Sequence, residues 1–104
     1  MLFGKLISDA RKKAQLSQKE LATQIRKEDG EPISAQYLND IERGRRNPPS
    51  EFLLKQFSKI LNIELDVLYF RAGEIPEELR DKSVSEETIV SAYRTFRSKI
   101  EENN

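Results

Sequence analysis

Three arginines fall within four residues, Arg43, Arg45 and Arg46, with Asn47 beside them. Ahead of them comes a stretch of hydroxyl, amide and carboxylate side chains: Ser34, Gln36, Tyr37, Asn39 and Asp40. Groups of these types donate and accept hydrogen bonds and neutralise anions, and none of them is a ready nucleophile. The residue types that carry most covalent chemistry are missing. The chain has no Cys and no His among its 104 residues, which removes disulfides, thiolates, imidazole bases and the soft ligands of a zinc site. The carboxylates Glu28, Asp29 and Glu31 lie in a polar loop, without the burial that tunes a general acid or base. No catalytic residue, metal ligand or cofactor is expected, and the chain is not read as an enzyme.

Composition sets the scale of what can position these groups. Leu, Ile, Val and Phe make up 28 of the 104 residues and charged residues 35%, against roughly 20% and 25% as the marks of a disordered chain and of ordinary charge content. The core is therefore real but thin, enough for one small domain and a tail. The zero net charge conceals an asymmetry: residues 1–62 carry 12 basic and 8 acidic side chains, and residues 63–104 carry 6 and 10. A basic half joined to an acidic half points to a polyanion meeting the first half alone. No apolar run approaches the roughly 18 residues of a membrane span, and Lys5, Asp9 and Arg11 interrupt the N-terminus where a signal peptide would be apolar. A soluble cytoplasmic protein without membrane contact is expected.

The apolar spacing predicts helices throughout. Leu2, Phe3, Leu6, Ile7, Ala10 and Ala14 recur every three to four residues, giving a first helix over Leu2 to Ala14. Ser17-Gln18-Lys19-Glu20 is a capping box, flanked by Leu16 and Leu21 at hydrophobic-staple positions, so a second helix starts at Gln18 and continues through Ile25. Gly30 and Pro32 make the following polar stretch a loop. Ser34 caps a short third helix, Ala35 to Arg43, stopped by Gly44. Ser50 caps a fourth, with Leu53, Leu54, Phe57, Ile60 and Leu61 inward, and Ile63, Leu65, Leu68 and Tyr69 fit a fifth that ends near Gly73. Residues 74–84 read as a linker with room for one helical turn. Ser83 or Ser85 caps a final helix from Glu86 to Glu101, whose stripe Ile89, Tyr93, Phe96 and Ile100 has steps of 4, 3 and 4, the spacing of a coiled-coil seam that something must cover. No segment alternates as a half-buried strand does.

Two helices with a short, capped second member, then Gly44 and a basic loop, form the arrangement that sets a helix in the DNA major groove. Taken in order, Phe3-Gly4, Leu6-Ile7, Arg11-Lys12, the run Leu16 to Ala22, the run Ile33 to Pro48 and the stretch Leu54 to Leu68 resemble the lambda-repressor-like helix-turn-helix family. This is the family of phage repressors, Cro proteins and xenobiotic-response-element regulators. The resemblance covers about residues 2–70. One departure stands out: Arg26 to Pro32 inserts about six residues where family members commonly make a tight turn, as a longer second helix or as a protruding loop, at little entropic cost.

The resemblance implies an all-α, five-helix DNA-binding domain over residues 1–73; the residues beyond it read by themselves as a linker over 74–84 and a C-terminal helix within 85–104. It implies a bacterial or phage-encoded regulator, a repressor, that binds double-stranded DNA as a homodimer on a palindromic operator with the helix 35–43 in the major groove. The recognition role falls on the start of the third helix, where the side chains are suited to it: Gln36 for an adenine edge, Asn39 and Asp40 for base amino groups or phosphate-linked water, Ala35 or Tyr37 for a thymine methyl, or Tyr37 for a phosphate through its hydroxyl, with Ser34 at the cap. Gln18 and Lys19 open the second helix, where the family contacts a phosphate, and Arg43, Arg45, Arg46 and Asn47 follow the recognition helix along the backbone. Arg11 and Glu42 are expected to pair structurally, as the family's arginine and glutamate do at these places. Ile89, Tyr93, Phe96 and Ile100 would hold the dimer or a regulatory protein partner, or fold back on the domain. The second reading, of another class, is an antitoxin or adaptor whose C-terminal helix docks a partner, with DNA binding secondary.

Overall fold

The computed structural model describes residues 2–80 and 82–103 and is all-helical among them. The expected outer bounds at Met1 and Asn104, and Asp81 in the linker, lie outside the described residues. Seven helices are seen there: α1 (Leu2–Lys13), α2 (Gln18–Gln24), α3 (Ala35–Glu42), α4 (Glu51–Leu61), α5 (Leu65–Ala72), α6 (Glu77–Arg80) and α7 (Glu86–Glu102).

Several helix starts and stops have a local cause. The last turn of α1 carries Arg11, Lys12 and Lys13 against its carbonyl end. Gln15 takes a left-handed φ of 61°, letting the Leu16 and Gln15 amides donate to the Arg11 and Lys12 carbonyls. At α2 the Ser17 hydroxyl accepts from the Glu20 amide at 3.0 Å, and the Glu20 carboxylate accepts from the Ser17 amide at 2.8 Å. That bond from Ser17 holds the Glu20 carboxyl below its ordinary range. Ser34 caps α3 and Ser85, not Ser83, caps α7, through the Tyr37 and Thr88 amides. Ser50 departs from expectation: it occupies the N-cap position of α4 with extended backbone, yet its side chain makes no capping bond. Its carbonyl instead accepts from the Leu53 and Leu54 amides, so the start of α4 rests on backbone alone.

The inserted residues do not lengthen α2. Ile25 is already extended, Arg26 and Pro32 form an antiparallel bridge, and Gly30 turns the tip with φ 89°. The Ile33 amide donates to the Ile25 carbonyl at 2.9 Å, so the chain leaves and rejoins the body at one place. From α4 the Gln56 amide grips the base of this hairpin, accepting from the Arg26 N–H at 2.7 Å and donating to its carbonyl at 2.8 Å. The extra length is thereby carried outward, and the packing of α2 on α3 is kept.

The core gathers Phe3, Ile7, Leu21, Ala22, Ile25, Ile33, Leu38, Ile41, Leu54, Phe57, Leu61 and Leu68 between α1 and the helices it crosses, α3, α4 and α5. Tyr69 joins them, its burial, with Glu51 nearby, pushing the phenol pKa up. Close approach of α1 to α3 depends on Gly4, where a Cβ would lie 2.5 Å from the Glu42 carbonyl oxygen. The segment expected as a linker is pinned at its helical turn: Arg80 donates to Glu51 of α4 at 3.2 Å and to the Ile75 carbonyl at 3.0 Å. Beyond it α7 projects. The Cα radius of gyration is 15.6 Å, against about 13 Å for a compact chain of this length.

Candidate nucleic-acid interface

The outward side of α3 is held from behind. Arg11 is buried, and its guanidinium donates to both oxygens of Glu42, at 2.7 and 3.0 Å, and to the Leu16 carbonyl at 2.8 Å. This fork ties the end of α1 to the last turn of α3 and leaves neither charge without a partner. Gln18, the first residue of α2, joins the same group: its Nε2 donates to Asn39 Oδ1 and to Glu42 Oε1, both at 3.1 Å. Arg43 Nε donates to Asn39 Oδ1 at 3.2 Å. Five side chains from three helices therefore fix how α3 sits on α1 and α2.

The network changes what two candidates can offer. Gln18 directs its amide nitrogen inward, so an anion at the start of α2 is left to the backbone N–H groups. Asn39 has its oxygen occupied twice and its amide nitrogen without a partner among the described residues. No spacing rule reaches this pattern, since Gln18 lies 21 and 24 residues from its partners.

On the exposed edge, Gln36 and Asp40 stand one turn apart, and Gln36 Nε2 donates to Asp40 Oδ1 at 3.0 Å. Arg46 returns from the loop to within 3.7 Å of Asp40 Oδ2 and lays its guanidinium over the Tyr37 ring, 5.0 Å from the centroid. Ser34 is engaged in the cap, Ala35 is half-buried, and Lys19, Arg43, Arg45 and Asn47 are exposed. Gly44 (φ 72°) and the Arg45 amide close the end of α3, the latter donating to the Asp40 carbonyl at 2.8 Å. This turns the basic loop back beside the helix that precedes it. The result is one surface with amide donors and acceptors along a helix edge and guanidinium groups at its end, a set suited to base edges and phosphates.

The C-terminal candidates lie elsewhere. Ile89, Tyr93, Phe96 and Ile100 are 42–47% exposed, and Phe96 meets the body through the Phe70 ring at 5.3 Å between centroids. Val90 of α7 and Val67 and Phe70 of α5 are likewise open to solvent, as are Ile75, Leu79 and Val84. No periodicity in the sequence singles out these apolar residues outside the seam positions. No group of side chains suited to a metal ion occurs among the described residues, and no helix among them is long and apolar enough to cross a membrane.

Comparison with known proteins agrees with this geometry. A family model described as helix-turn-helix matches residues 7–68. An uncharacterized HTH-type transcriptional regulator of Mycobacterium tuberculosis is 33% identical over 96 residues, covering 92% of this chain and 63% of that protein. Another uncharacterized HTH-type transcriptional regulator, from Bacillus subtilis, is 27% identical over 96 residues, covering 89% of this chain and 65% of its own length. The ImmF control region 10 kDa protein of Bacillus phage phi105 is 35% identical over 76 residues, covering 73% of this chain and 77% of that protein. The chain thus spans less than two thirds of the length of the two regulators. No solved structure gives a significant match.

Proposed function

The chain belongs to the helix-turn-helix family, and from that premise we propose that it is a sequence-specific, double-stranded-DNA-binding transcriptional regulator acting as a repressor. In this reading α3 enters the major groove and Gln36 reads a base edge. Asn39 and Tyr37 reach bases or backbone, and Arg43, Arg45, Arg46 and Asn47 follow the phosphates. The α2 start, at Gln18 and Lys19, meets the adjacent strand through backbone amides and the lysine. The observation that carries it is the one surface on which exposed Gln36 and the arginines gather with half-buried Tyr37 and Asn39, backed by the Arg11–Glu42 fork.

The partner of α7 is a second copy of the chain. Its stripe reads Ile, Tyr, Phe, Ile with steps of 4, 3 and 4, so it has the same spacing in either direction. A copy running antiparallel about a two-fold axis sets each isoleucine against an isoleucine and each aromatic ring against an aromatic ring, the self-complementarity an isologous dimer needs. Two recognition helices about 34 Å apart would then face an inverted repeat.

Titrations with duplex DNA test the reading. Gln36→Ala should cost about 1–3 kcal/mol on a preferred duplex and little on a random one, while Arg45→Ala weakens both and lowers the salt slope by about 1. Equal losses on both duplexes for Gln36→Ala would contradict base reading by that side chain. For the dimer, Phe96→Glu should bring the sedimenting mass down to one chain, and an unchanged dimer mass would remove α7 from the interface.

A further inference from the structure

Asp40 is a carboxylate on a surface meant to approach phosphates, and its surroundings explain what it does there. Its Oδ1 accepts from Gln36 Nε2 at 3.0 Å, and its Oδ2 lies 3.7 Å from Arg46 Nε. Its side chain is only 20% exposed, whereas Gln36 is open to solvent. The Arg46 guanidinium, in turn, lies over the Tyr37 ring, which limits how far it can swing from the carboxylate. So the charge of Asp40 is opposed by the Arg46 cation at one oxygen, and its other oxygen accepts from Gln36.

A carboxylate offers acceptors only, so the Gln36 amide meets it with nitrogen. Turned over, Gln36 would set its carbonyl oxygen against the carboxylate oxygen. With one amide hydrogen on Asp40, the second hydrogen and Oε1 remain as a donor and an acceptor in one fixed order. In the major groove adenine shows an acceptor at N7 and a donor at N6, which fits that order. Guanine shows acceptors at both N7 and O6, which sets one of them against Oε1. We infer that Asp40 is a positioning residue that fixes the orientation of the Gln36 amide and thereby makes it select adenine over guanine. This rests on the reading that Gln36 faces base edges, and to the adenine edge expected for it adds the residue that sets its orientation.

The test is selection from a random duplex library with the full wild-type chain, Gln36→Ala and Asp40→Asn, followed by titration of the selected duplex with A·T or G·C at the position that Gln36→Ala leaves without preference. An asparagine at 40 offers both donor and acceptor, so the Gln36 amide is free to turn over. Wild type should favour adenine there by roughly five- to 150-fold, and Asp40→Asn should fall to within about threefold while binding random duplex more tightly, because a negative charge is gone. A role for Asp40 as a charge alone would move the second readout and leave the first. Circular dichroism melting of each variant checks that it is folded. The inference is overturned if Asp40→Asn keeps the wild-type ratio, or if the Gln36-dependent position prefers a base other than adenine. If Gln36→Ala alters no position, base reading by Gln36 fails and this inference falls with it, a result distinct from an unchanged ratio in Asp40→Asn alone.

Discussion

Helices α3 and α7 begin alike and end in different situations. Each is amphipathic and each starts at a serine whose hydroxyl accepts from the amide three residues on, at 3.0 Å for Ser34 and 3.1 Å for Ser85. Yet Leu38 and Ile41 of α3 are 0% and 2% exposed, whereas Ile89, Tyr93, Phe96 and Ile100 of α7 remain 42–47% exposed. Local signals decide that a helix forms, and its neighbours decide what it is for. Backed by α1 and α2, α3 has its apolar side covered and turns its polar side outward in a fixed pose. Without such backing, α7 keeps its apolar side half-open to solvent, the side through which the proposed dimer would form.

The sharpest way to break that contrast is to remove the backing of α3. Glu42→Ala leaves the Arg11 side chain, 11% exposed, with only the Leu16 carbonyl to bind. Urea unfolding should show a loss of about 3–5 kcal/mol, the size expected when one partner of a buried pair is deleted. A loss below about 1 kcal/mol would mean that the fork does not hold the body together. Gly4→Ala should follow at about 1–3 kcal/mol, since its Cβ meets backbone of α3 that cannot move without shifting the helix; neutrality would show that the crossing relaxes.

Removing α7 should do far less. Ending the chain at Lys82 deletes one ring contact with the body, Phe96 on Phe70, worth about 1 kcal/mol. Thermal melts at high dilution, where a dimer adds nothing, should therefore nearly coincide with the full chain, and a loss above about 3 kcal/mol would make α7 part of the folded body. The smallest effect concerns the start of α2. The Ser17 amide holds the Glu20 carboxyl below its ordinary value of 4.5. Its contribution is thus complete above that value and is lost as pH falls through the depressed one. Glu20→Gln keeps the capping geometry without the titration, so its stability should fall less steeply in acid than that of wild type. Parallel acid limbs would contradict the assignment.

Much of the body was legible because caps and apolar spacing are local signals. The ends of α1, α2, α3 and α7 lie within about two residues of where capping and periodicity set them, and Leu21, Ala22, Ile25, Leu38, Ile41, Leu54, Phe57 and Leu61 are all in the core. Ser50 shows the limit of such signals, since the right residue at the right place makes no cap bond. The hairpin at 26–32 was legible as an insertion, but its anchor, Gln56, lies 30 residues away with no sequence cue. Likewise the links from Gln18 to Asn39 and Glu42 exist only after α2 meets α3. Gln36 and Asp40 were legible as polar residues near the start of the third helix. The pairing of Asp40 with Gln36 follows from their spacing of one turn along α3, but the approach of Arg46 to Asp40 depends on the loop folding back after Gly44, which that spacing does not contain.

Selection of bound duplexes by the wild-type chain at near-physiological salt tests at once whether α3 reads DNA and whether α7 delivers it in pairs. The expected result is enrichment of an inverted repeat whose half-sites are centred about one helical turn apart, near 34 Å. Recovery of unenriched sequence by a folded, concentrated chain would contradict it.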